Sequence, residues 1–117
     1  MRTMKLPEYV AKCVGRAGGI DKLSRTVLKK DEIKTLSRLF NAASDPIRVK
    51  ILSLLNVAPL CVCVIKEVLK ISDSKISYHL SGLRAANLIT DQREGNFIIY
   101  QITPLGKRLL HIARTSS

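Results

Sequence analysis

Ile71-Ser72-Asp73-Ser74-Lys75-Ile76-Ser77-Tyr78-His79-Leu80-Ser81-Gly82-Leu83-Arg84 reads as one helix with two unlike faces. Ser72 or Asp73 supplies a side-chain oxygen to cap it. Ile76, Leu80 and Leu83 then fall on one stripe of the 3.6-residue period and turn inward. The opposite face carries Ser74, Lys75, Ser77, Tyr78 and Arg84, which are short polar, cationic and aromatic. Just upstream, residues 60–69 read as another short helix, with Leu60, Val64, Ile65, Val68 and Leu69 available to a core. Only a few residues join the two. Short helices so tightly joined, the second polar outside, fit a helix-turn-helix.

Downstream the period changes at Asn87. Residues 88–93 and 97–102 are rich in β-branched and aromatic types, with Glu94-Gly95-Asn96 as turn chemistry between them. A two-stranded hairpin is therefore expected directly after the recognition helix. Pro104 opens a final helix with Leu105, Leu109, Leu110 and Ile112 apolar. Upstream, Ser44-Asp45-Pro46 is a helix start, a capping residue followed by proline at the first helical position. The helix it opens, residues 46–55, offers Ile47, Ile51, Leu54 and Leu55 to the core, and residues 56–59 form a turn. Asp31 can cap an earlier helix with Ile33, Leu36, Leu39 and Phe40 on one stripe. Shorter helices are expected over residues 5–14 and 20–28, separated by Gly15, Gly18 and Gly19. The architecture expected is mainly α with a small β-hairpin: a winged helix-turn-helix over residues 31–117 behind a helical extension over residues 1–30.

Charge points to the partner. Lys and Arg number 20 against 9 Asp and Glu, a formal net charge of +11. An excess of this size favours a polyanion, because each phosphate neutralised releases condensed counterions. The competing reading is a generically basic surface, or one that meets anionic lipid. At 117 residues there is room for one domain, and a hydrophobic fraction of 46% suits a globular chain. No apolar run approaches the roughly 20 residues that cross a bilayer. The basic start, Met1-Arg2-Thr3-Met4-Lys5, is followed by no unbroken apolar segment, so no secretory signal is read and the cytoplasm is the expected location. With two histidines, no glycine-rich phosphate loop and no nucleophile–base pattern, the chain carries no sign of an enzyme and requires no cofactor. Three cysteines, Cys13, Cys61 and Cys63, argue against a disulfide scaffold. They are either small buried hydrophobes or ligands and redox groups.

Several segments together resemble the ArsR/SmtB family of metal- and arsenic-responsive repressors. They are Asp45-Pro46-Ile47-Arg48-Val49-Lys50-Ile51-Leu52, Leu60-Cys61-Val62-Cys63, Ser77-Tyr78-His79-Leu80 with Leu83-Arg84, and Gly95 ahead of Tyr100. The resemblance implies a homodimer whose outer helices pair. It also implies that the two recognition helices enter successive major grooves of double-stranded DNA, and that an inducer lowers DNA affinity. For Cys61 and Cys63 it implies thiolates that take arsenite or a soft divalent metal ion of the zinc and cadmium class, an affinity that suits sulfur ligands. Cys13 is the natural third thiol, and the resemblance implies that an N-terminal helix could bring it to the Cys61 and Cys63 pair across the dimer. The sequence also departs from the pattern. Val64 stands where an acidic residue usually follows the Cys-x-Cys, and His111 on the last helix has no Asp or Glu after it, so a zinc-type site on that helix is absent. Two cysteines at i and i+2 of a regular helix point about 200° apart, so sharing one ion demands a distorted first turn or another chain. A reversible redox switch between these thiols and plain core packing are the competing readings.

The DNA-contact set expected is Ser74, Lys75, Ser77, Tyr78, His79, Arg84, Arg93 and Asn96. Lys75 can reach guanine or phosphate, and the hydroxyls of Ser and Tyr can bond to either. His79 sits near the inner edge of the helix, where a structural role is the favoured reading and a phosphate contact the lesser one. Arg93 and Asn96 flank the hairpin tip, where a cationic wing needs only phosphate attraction; for Asn96 simple turn geometry competes. For the whole set the competing reading is an ordinary solvated face, or an architectural DNA binder that answers to no effector.

Overall fold

A computed structural model describes residues 5–115; Arg2, one of the basic N-terminal residues, lies outside them. The chain divides into two compact units between Thr35 and Leu36. In the first, α1 (Glu8–Arg16) and α2 (Ile20–Thr26) bury no residue. The turn between them runs through Gly18 and Gly19, at φ 97° and 89°, a left-handed path that only glycine takes cheaply. α3 (Lys30–Ala43) starts one residue before Asp31, which therefore lies in its first turn instead of capping it. Glu32 takes that part: its Oε1 accepts from the Lys29 amide at 2.9 Å, satisfying a donor the helix leaves orphaned.

The second unit holds the core. α4 (Pro46–Leu55) begins where Asp45 Oδ1 accepts from the Ile47 amide at 2.8 Å, with proline at the first helical position. It buries Ile51, Leu52 and Leu55. Ile65 comes from α5 (Val62–Leu69), and Ile76, Leu80 and Leu83 from α6 (Asp73–Ala85). Leu88 and Ile89 close the cluster at the start of β2 (Ile89–Glu94), which turns at Gly95 into β3 (Phe97–Ile102) before α7 (Pro104–Thr115). Ile76, Leu80 and Leu83 are the inward residues the period picks out. Leu52 is buried as well, a neighbour of the stripe that periodicity alone passes over.

One element departs from expectation. Leu60 and Cys61 are not helical but form a two-residue strand, β1, antiparallel to β3 with Leu60 opposite Tyr100 and Cys61 opposite Ile99. The sheet is thus three-stranded, in the order β1-β3-β2. Two residues are too few to display alternation, and their partners lie far along the chain, so only the free edge of β3 makes this a strand. β1 covers an edge that would otherwise present unpaired amides and carbonyls. Thr103, buried between β3 and α7, knots three segments. Its Oγ1 lies 2.9 Å from Asn87 O and 3.0 Å from Leu88 O, and accepts from the Gly106 amide at 3.1 Å.

Candidate nucleic-acid interface

The turn into α6 runs through Lys70, held in the left-handed region at φ 56°, and ends at Ser72, whose Oγ accepts from the Lys75 amide at 3.3 Å. Lys66 on α5 reaches Asp73 on α6 at 2.7 Å across the same turn. Because Ile76, Leu80 and Leu83 are sealed in the core, the rotation of α6 about its own axis is set. Ser74, Lys75, Ser77 and Tyr78 face solvent, Tyr78 with 67% of its surface exposed. Thirteen residues make about 20 Å of helix, enough to lie in a major groove about 12 Å wide.

The remaining candidates divide. Arg93 and Asn96 stand exposed at the wing tip, where Arg93 Nε donates to Gly95 O at 3.3 Å. Arg84 is exposed but occupied: its Nη1 bonds to Asp91 Oδ2 at 2.7 Å and ties the end of α6 to β2. His79 stands apart from the others. It is 4% exposed, and its Nδ1 accepts from Arg48 Nε on α4 at 3.1 Å, so its place is inside the helix pair and not on the solvent face.

The cysteines also differ from expectation. Cys61 and Cys63 are joined in a disulfide, whereas the odd cysteine count argued for free thiols. Cys61 is extended (φ −80°, ψ 161°) while Cys63 already lies in α5, and this break in helical geometry brings side chains together that a regular helix would point apart. Their Cα atoms are 5.4 Å apart, and Cys63 is exposed. When reduced, both sulfurs can therefore reach one soft ion. A third ligand is not at hand: among the described residues no three His, Cys, Asp or Glu side chains cluster to hold a metal. Cys13 is exposed in the first unit.

Two groups around this face have shifted titration. Burial raises the Asp45 carboxyl, but the Ile47 amide, the His79 side, the Arg48 amide and the Arg48 guanidinium together outweigh it, and the net shift is downward. The Tyr100 phenol is pushed up by burial and by the Asp91 carboxylate, with Arg84 opposing.

A helix-turn-helix with an antiparallel wing, one polar helix face and a Cys-x-Cys at the start of the preceding helix can be compared with known proteins. Residues 45–91, from the α4 cap to β2, match the profile described as "Bacterial regulatory protein, arsR family". An arsenical resistance operon repressor of Bacillus subtilis is 34% identical over 75 residues, covering 63% of this chain and 71% of that protein. The chain belongs to the arsR family of bacterial regulatory proteins. Another arsR-type relative, a transcriptional repressor SmtB homolog of Synechocystis, is 32% identical over 76 residues, 65% of this chain. The match spans 58% of that protein's length. The crystal structure of Mycobacterium tuberculosis Rv0081 superposes with a TM-score of 0.68 at 29% identity, covering 75% of this chain and 90% of that one. Membership of this family places the chain among regulators and not among enzymes.

Sequence reasoning passed over two residues at this arsR-type face. Asp91, which holds Arg84, sits in a strand with no pattern to announce it. Arg48 stands in the quoted Asp-Pro-Ile-Arg segment, but its partner His79 is 31 residues away and only the packing of α4 on α6 joins them.

Proposed function

We propose that this arsR-family chain is a homodimeric transcriptional repressor. In this reading it binds duplex DNA through α6 and the β2–β3 wing, and leaves it when arsenite or a soft metal ion takes Cys61 and Cys63 as thiolates. The observation that carries the reading is the row Ser74, Lys75, Ser77 and Tyr78, solvent-facing on a helix whose other side is locked into the core. Hydroxyls, an ammonium and an exposed aromatic on a rigid helix suit base edges and phosphates, and the net charge of +11 suits the backbone. The thiol part rests on the extended Cys61 just ahead of α5, which lets its sulfur and that of Cys63 serve one soft ion, and on a relative named for arsenical resistance.

A second reading of the effector is favoured by the Cys61–Cys63 disulfide itself. Two thiols lose two electrons and two protons to a peroxide or a disulfide oxidant, and the S–S bond so formed changes the start of α5. One experiment separates the readings. The reduced protein is titrated onto its operator at fixed salt, alone, with arsenite, with zinc or cadmium, and after oxidation; Cys61→Ser and Cys63→Ser follow. Release by an ion that both variants abolish supports the first reading, and release by oxidant alone supports the second. Salt-steep binding that ignores all three leaves an effector-independent DNA binder.

A further inference from the structure

Three positions of α6, Tyr78, His79 and Gly82, meet one side chain of α4. The Arg48 guanidinium donates from Nε to His79 Nδ1 at 3.1 Å. Its Cζ lies 5.3 Å from the centre of the Tyr78 ring, within the range of a cation–π contact. A Cβ placed on Gly82 would come within 2.5 Å of that same Cζ, so the missing side chain at Gly82 is the space the guanidinium occupies. Positions 78, 79 and 82 are neighbours on one side of a helix, at spacings of three and four residues. Together they make a seat for one planar cation. The Tyr78 and His79 rings meet edge to face at 5.2 Å, so the two α6 groups that Arg48 touches also brace each other.

We infer that Arg48 is a positioning residue for the recognition helix: seated over Gly82, it holds His79 in one tautomer and Tyr78 in one orientation at the solvent face. The inference rests on the DNA-binding reading for its consequence but not for its geometry. Nδ1 of His79 can accept from Arg48 only if it carries no proton, which places the imidazole proton on Nε2. Arg48 needs a fork that donates from Nε along one edge while its flat face lies against Gly82 and the Tyr78 ring. Lysine has the same charge and neither feature. Tyr78, 67% exposed, has no core anchor of its own, so its direction is set by the ring of His79 and the cation beside it.

The test uses the full chain and two readouts. Arg48→Lys keeps the charge and removes the fork; Gly82→Ala keeps Arg48 and fills its seat. Nitrogen NMR of the His79 ring should show an unprotonated Nδ1 in the parent protein and a loss of that single tautomer in both variants. Both should also bind the operator about tenfold more weakly, the worth of one charge-assisted hydrogen bond, while binding to random duplex and the salt slope stay unchanged. Thermal melts identify any variant that fails to fold, and Tyr78→Phe, which leaves the seat intact, should keep the His79 signature. The inference is overturned if Arg48→Lys leaves both the tautomer and operator binding as they were. It is equally overturned if Arg48→Ala weakens operator and random duplex alike with a shallower salt slope, since Arg48 would then be a phosphate contact. A parent protein that shows the His79 signature and its loss, yet binds no DNA, keeps the positioning role and removes the repressor reading.

Discussion

Lys75 and Tyr78 share the solvent side of α6, and the chemistry of Lys75 predicts what its loss would cost. Lys75 offers one mobile ammonium, which suits a phosphate. Lys75→Ala is expected to weaken operator and random duplex together and to lower the slope of log K against log salt by about one, measured by binding over a salt series. An unchanged slope would remove Lys75 from the phosphate set. The titrating residues give signs of their own. Asp45 is depressed below its ordinary 3.8 in the folded chain, so its contribution to stability is present above that value and drains away as pH falls through the lower folded one. Asp45→Asn keeps an oxygen for the Ile47 amide but should flatten this acid limb in urea melts taken from pH 5 downward. Tyr100 is raised above 10.0, chiefly by burial. Its contribution is complete below 10 and is lost as pH climbs through the higher folded value, so Tyr100→Phe should remove that alkaline component.

At the scale of elements the joints matter more than the helices. Lys70 closes α5 in the left-handed region, where a side chain costs about 1–2 kcal/mol relative to the right-handed path. Lys70→Gly is expected to stabilise the chain by about 0.5–1 kcal/mol in urea melts, after the extra unfolded freedom of glycine is counted. A loss of stability would mean that the exposed Lys70–Glu67 pair outweighs the strain. The Arg84–Asp91 bridge joins α6 to the wing but stays partly in solvent, so a double-mutant cycle should return no more than about 1 kcal/mol. Asp91→Ala should do more to binding than to stability: it frees the Arg84 guanidinium and is expected to tighten non-specific duplex binding. β1 is the other joint. Because Cys61 is both a partner of Ile99 in the sheet and one half of the Cys61–Cys63 bond, whatever happens to these sulfurs acts where the wing is attached.

Over the whole molecule, stability resides in a core drawn from α4, α5, α6 and the start of β2. Ile65→Ala or Leu83→Ala, each removing a fully buried side chain, should cost about 2–5 kcal/mol. Leu36, Phe40 and Val68 remain exposed apolar residues outside this core. If the chain is a homodimer, its melting temperature should rise with protein concentration, and sedimentation at micromolar concentration should give twice the 13.0 kDa chain mass. A concentration-independent melt with a single-chain mass would remove the dimer.

Much of this was legible in order along the chain. Ile76, Leu80 and Leu83 at helical spacing, Asp45-Pro46 at a helix start, and Gly95 between two β-rich runs each act through neighbours a few residues away, so local periodicity and turn chemistry were enough to assemble a winged helix-turn-helix and to select its outward residues. The rest depends on contacts between distant segments. β1 is a strand only because β3 presents an open edge to it, and Cys61 meets Cys63 only because that strand breaks the helix. His79 is inside because Arg48 arrives from 31 residues away, and Arg84 is held because the wing folds Asp91 back against it. Local spacing carries the faces of a helix; which groups those faces finally touch is decided by packing, where polar groups taken out of water must find whichever partner the fold brings near.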